Sequence, residues 1–143
     1  MNNSWRRALG TAVILSAGVG LVGCSASSAP SILESPNGRL IAVSGQASDV
    51  HEQALAEGTF VWGRGGCAVV EAEETYLIVF PHGTAFGGND EVILPEGAVL
   101  GAGDDVGLGG GFHSAPADSS GLSAIPEACL TEEVFWASGE VVK

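Results

Sequence analysis

The chain has 143 residues, of which 17 are Asp or Glu and only 5 are Lys or Arg, a formal net charge of −12. Nucleic-acid affinity rests on Lys and Arg neutralising phosphates, so this balance excludes DNA and RNA as partners. The length allows one domain with a tail and a single modest core, and the acids are scattered rather than gathered into an interaction tail.

Arg6 and Arg7 supply the positive start of an export signal, and the uncharged stretch from Ala8 to Val22 supplies its apolar part. A spanning helix needs roughly 20 apolar residues, so this stretch is short for a permanent anchor, and Gly10, Gly18 and Gly20 weaken it further. Trp5 before the arginine pair and Gly10 after it suit general secretion better than twin-arginine export.

The stretch ends in Leu21-Val22-Gly23-Cys24, an aliphatic residue and small residues leading to a cysteine. This resembles the lipobox of bacterial lipoproteins. The resemblance implies that the Cys24 thiolate takes up a diacylglyceryl unit and that cleavage leaves Cys24 as the first mature residue. Two acyl chains then hold the protein on the extracytoplasmic face of the cell membrane, where one alone is marginal. Loss of residues 1–23 leaves Arg39, Arg64 and Lys143 as the basic residues against all 17 acids.

Residues 25–38 (SASSAPSILESPNG) read as a flexible tether with a random-coil reach of roughly 20 Å. Residues 39–43 are a short apolar stretch compatible with a strand. Asp49 and Glu52 stand in a capping-box relation, and Gly58 follows Ala54-Leu55-Ala56 as a stop. Together they suggest a two-turn helix over about residues 50–57, within a connecting segment 39–57.

From residue 58 the character is β. Strands are expected at Thr59–Trp62, Cys67–Ala72 and Thr75–Phe80, with Glu73-Glu74 as a tight connection. Short apolar pieces follow at Val92–Leu94 and Val99–Leu100, then a glycine-laden strand at Asp105–Phe112. Residues 113–124 read as polar loop, and Glu133–Ala137 as a last strand. Glycines inside a strand mark sharp bends or close backbone approach.

With Cys24 acylated, Cys67 and Cys129 remain as an even pair in an oxidising compartment. A disulfide between them is the expectation, worth roughly 4 kcal/mol in the chain-entropy model. Two free thiols or a metal pair are the alternatives.

About five short strands with glycine bends predict an all-β domain over residues 58–143, a small five-stranded OB-like antiparallel barrel, with a compact sandwich as the alternative. Gly66-Cys67, Phe80-Pro81-His82-Gly83-Thr84, Gly103-Asp104-Asp105-Val106 with Gly109-Gly110-Gly111, and the late Cys129 are similar to motifs of small, largely uncharacterised lipoproteins of high-GC Gram-positive bacteria. That resemblance implies the fold and carries no activity.

His82 and His113 both lie where a strand runs into a loop, near Asp90, Asp104, Asp105 and Asp118, and are candidate zinc or copper ligands. The stretch Gly101–Asp105 is better read as a turn than as a single calcium-binding repeat or a dinucleotide fingerprint. No Gly-x-Ser-x-Gly or His-Glu-x-x-His occurs, and the adjacent acids Asp104-Asp105 and Glu132-Glu133 point to opposite faces if they lie on strands. Trp62 and Trp136 belong to apolar strands and read first as core. Facing solvent together they would form a stacking platform for sugars or peptides.

The expectation is a monomeric, lipid-anchored, non-catalytic binding or interaction module without a cofactor. The alternative is a surface metal-binding protein using His82 and His113.

Overall fold

A computed structural model describes residues 29–47, 52–114 and 121–142. Cys24 and the rest of the export signal lie outside the described residues, as do Asp49, Val50, His51 and Asp118. Ten strands follow in chain order: β1 (Ser31–Glu34), β2 (Leu40–Val43), β3 (Ala54–Trp62), β4 (Ala68–Glu71), β5 (Thr75–Phe80), β6 (Ala85–Phe86), β7 (Val92–Ile93), β8 (Val99–Leu100), β9 (Asp105–Ser114) and β10 (Glu133–Val142).

The run Thr75–Phe80 (TYLIVF) forms the spine of the fold. Its residues lack a polar alternation because both faces are covered. Along one edge β5 pairs first with β4 (Thr75–Leu77) and then with β2 (Val79 and Phe80). Along its other edge it pairs with β10, Val134 to Trp136 matching Leu77 to Val79. From β10 the sheet continues through β9 to β3 and β4, and the β4–β5 pairing closes it.

The result is an all-β fold around a closed five-stranded barrel, β3-β4-β5-β10-β9. Counted by chain order, the barrel strands close as 1-2-3-5-4, the OB-like arrangement. Most pairings are antiparallel, as expected, but β5 and β10 run parallel, so the barrel is mixed. A parallel seam is a consequence of the order: two strands that enter the sheet from the same side must be joined by a long crossover, here residues 81–132. That crossover carries the small sheet β6-β7-β8, whose Val92 and Leu100, with Leu94 just beyond β7, enter the barrel core alongside Phe60, Phe80 and Phe135.

The start of the barrel differs from the sequence reading, and the last two strands run further than read, β9 to Ser114 and β10 to Val142. The expected helix over residues 50–57 is not formed in its described part, because Ala54 begins β3. Ala54 and Ala56 pack on the core while Leu55 and Glu57 point outward, an alternation that pairing with β9 converts into strand. The tether is shorter than read: Ser31–Glu34 pairs antiparallel with β2, and Ile32 packs on a second apolar cluster. The barrel sheet therefore starts well before residue 58.

Gly58 is no helix stop but a crossing point. There β3 turns from β9 toward β4, and a Cβ would run into the Glu71 carbonyl. Only a glycine lets the two backbones approach so closely.

The second cluster lies outside the barrel. Leu77 and Val79 of β5, Val134 of β10 and Ala42 of β2 are buried beneath Leu122, Ile125 and Cys129. The segment 121–132, part of which was expected as polar loop, is thus a cap. Cys67 and Cys129 stand at disulfide distance, Cα–Cα 5.6 Å, and join the cap to the start of β4. Thr131 Oγ1 adds a second tie, accepting from the Leu77 amide at 3.0 Å and donating to the Glu133 carbonyl. Among the described residues, no helix is long and apolar enough to cross a membrane.

Candidate functional site

Where the cap meets the barrel, a cleft of about 840 Å³ opens, a volume in the range of small-molecule sites. Strand ends build it. The parallel strands β2 and β5 finish side by side, held by the Ser44 amide donating to the Phe80 carbonyl at 2.8 Å, so Ser44 and His82 emerge together at one rim. The last residues of β9, His113 and Ser114, lie at another part of the wall, to which β10 contributes Trp136, Ser138 and Gly139. Glu52, Glu96 and Leu122 join the lining from the β3 approach, the small sheet and the cap.

The glycines of β9 shape this wall. At Gly110 a Cβ would collide with the Trp136 carbonyl, so the bare α-carbon is what brings β9 and β10 together at the irregular step after Ala137. At Gly111 a Cβ would occupy the place of the Glu52 side chain, which lies across the strand there. From that seat Glu52 accepts a hydrogen bond from His113 Nε2 at 3.2 Å.

His82 and His113, distant in sequence, therefore line one cleft, each committed to its own partner. The Ser44 carbonyl can only accept, so His82 uses Nδ1–H in its 3.3 Å contact, and a neutral ring keeps the Nε2 lone pair. His113 spends Nε2 on Glu52, and its ring meets Trp136 edge-on at 6.0 Å. Among the described residues no group of three His, Cys, Asp or Glu side chains is placed to hold a metal ion. The acids expected nearby go elsewhere: Asp105 accepts from the Thr59 hydroxyl at 3.0 Å, and Asp90 accepts from Asn37 at 3.1 Å. Asp104 folds back to accept from the Gly101 amide at 3.0 Å, which makes Gly101–Asp104 a turn.

The two tryptophans do not form one platform. Trp62 follows Phe60 on the inward face of β3, meets Phe60 edge-on and Phe86 at a tilt, and carries the Arg39 guanidinium 5.6 Å from its ring centroid. Trp136 is on the outward face of β10, packs against the cap cluster, and lines the cleft half-buried. Glu52 and Trp136 are the cleft residues that sequence reasoning did not bring together. The close pairing of Gly111 with Trp136 across β9 and β10 is what joins them.

Strand β5 belongs to the face that many OB barrels use for extended ligands, and its outer residues Leu77 and Val79 are covered here by the cap. Compared with family models, curated proteins and solved structures, the chain matches none.

Proposed function

We propose that this protein is an extracytoplasmic lipoprotein, tethered to the cell membrane through an acylated Cys24, whose barrel is a non-catalytic binding module with its ligand site in the cleft between cap and barrel. The Leu21-Val22-Gly23-Cys24 motif supports the anchor. The cleft carries the binding reading: it combines a half-buried indole face with hydrogen-bonding groups on several strand ends, the mixture that small-molecule sites use for contact area and orientation. Among the described residues neither histidine is hydrogen-bonded to a serine or cysteine nucleophile: His82 meets the Ser44 carbonyl and His113 meets Glu52. The covered outer face of β5 and the acidic composition argue against a nucleic-acid ligand.

A second reading, metal binding, is favoured by one observation, that His82 and His113 share the cleft. Isothermal titration of the protein with zinc and copper distinguishes it, because two imidazoles on one ion give saturable heat at micromolar metal.

The anchor is tested by growing cells with labelled palmitate. The wild-type protein takes up label and Cys24→Ser does not; equal labelling would overturn the assignment. For the cleft, acrylamide should quench the emission of Trp136 more strongly than that of Trp62. A Trp136 sealed from acrylamide would leave no open site and end the binding reading.

A further inference from the structure

The cleft wall is one-sided in fixed charge. Glu52 and Glu96 contribute carboxylates, Trp136 an aromatic face and His82 and His113 imidazoles, and among the described lining residues there is no Lys or Arg. The described cations are placed elsewhere. Arg39 lies over Trp62 and 4.0 Å from Asp90, and Arg64 sits in the exposed turn before the disulfide. An anionic ligand would find no fixed positive charge in this cleft and would enter a strongly acidic molecule. An organic cation would find the opposite: a ring face whose quadrupole attracts it and carboxylates that complement its charge.

We propose that the cleft selects a small organic cation, its ammonium group held against the Trp136 indole with Glu52 and Glu96 as counter-charges. This rests on the cleft being the binding site and adds the class of its ligand. Glu52 is suited to the role because it lies over the bare Gly111 backbone at the cleft wall, with an exposed contact to His113. An entering cation would find that carboxylate already aimed along the wall that Trp136 shares.

Choline and its uncharged isostere 3,3-dimethylbutan-1-ol separate charge from shape. The full chain, labelled with nitrogen-15 and held in an uncharged maltoside detergent, carries three tryptophans. The indole resonance of Trp136 is identified through Trp136→Phe. Choline should shift this resonance saturably, with an affinity at least about tenfold above that of the isostere, and leave the Trp62 indole in place. The double variant Glu52→Gln/Glu96→Gln should weaken choline by about tenfold and leave the isostere unchanged.

Equal affinity for both probes would overturn the cation selectivity while leaving a cleft that binds by shape. No shift with either probe, or a shift confined to Trp62, would overturn the proposal, and so would choline affinity unaffected by the double variant.

Discussion

On β5, Ile78 and Phe80 point into the closed barrel, whereas Leu77 and Val79 point out of it and are buried only because residues 121–132 fold over them. The inner face is dried by strands from every side and by the small sheet β6-β7-β8. The outer face is dried by a cap with little regular structure, whose described part has one 3-10 turn at Glu127–Cys129. The barrel needs only its own sheet pairings to close, but the cap depends on a covalent tie and a few side chains. The cleft opens where this cover stops, along β10 from buried Val134 to half-buried Trp136 and on to Ser138.

The sharpest way to break the comparison is to cut into each layer separately. Phe135 is fully buried in the barrel core, and its ring meets the exposed Phe112 edge-on at 4.8 Å. Phe135→Ala should cost about 3–5 kcal/mol in urea unfolding, a large share of the roughly 5–15 kcal/mol that stabilises a typical domain. The protection of amides in β9 and β10 from exchange should fall with it. A loss below about 1 kcal/mol would mean that the barrel interior is not the main core.

Removing the disulfide strikes the other layer. The Cys67–Cys129 link spans a sequence separation of 62, and its loss in Cys67→Ser/Cys129→Ser should cost about 2–4 kcal/mol. The pattern matters more than the size. Hydrogen exchange should accelerate at Ile125 and Leu130, whose amides are held by local turns, before it accelerates in β3 and β9. Acrylamide should also reach Trp136 more easily. Uniform acceleration through the barrel would show that cap and barrel unfold as one unit.

These two layers differ in how far they can be read from the sequence. The five barrel strands are legible because apolar runs such as Cys67–Ala72 and Thr75–Phe80 are bounded by Gly, Pro and acidic turns. The glycine-laden β9 is legible as a bent strand for the same reason. The cap is not, because Leu122 and Ile125 are isolated apolar residues in a polar segment whose burial follows from being tied next to β5. Ala54-Leu55-Ala56-Glu57 is ambiguous between helix and strand, and pairing with β9 decides it. The short β1 has only Ile32 buried against a neighbour, too little signal to separate it from a tether. The disulfide is legible from the cysteine count, and the candidacy of His82 and His113 from their strand-end positions. Their meeting in one cleft depends on the parallel β2–β5 ends and on the close approach at Gly110, which no local pattern encodes.

The smallest expected effect probes the open end of the barrel, where the inner face of β5 gives way to solvent at Tyr76. The ring packs edge-on against Phe112 at 4.9 Å and sits near the acids of the β4–β5 turn. Partial burial first, and then the charges of Glu74, Glu133 and Glu73, disfavour the phenolate and raise its pKa above the ordinary 10.0. Tyr76 is the single tyrosine of the chain, so absorbance at the phenolate band titrates this group alone. Its midpoint should lie above 10.0 in the folded protein and return to the ordinary value in urea. Because the raised pKa belongs to the folded state, the unfolded chain releases this proton first. Stability is then full below the ordinary tyrosine range and declines as pH rises through it toward the folded midpoint. Glu74→Gln should lower the folded midpoint but leave it above that of the unfolded chain, since burial is the larger cause. A folded midpoint equal to the unfolded one would show that the ring is as wet as the loop beside it, and would shorten the dry interior of β5 to Ile78 and Phe80.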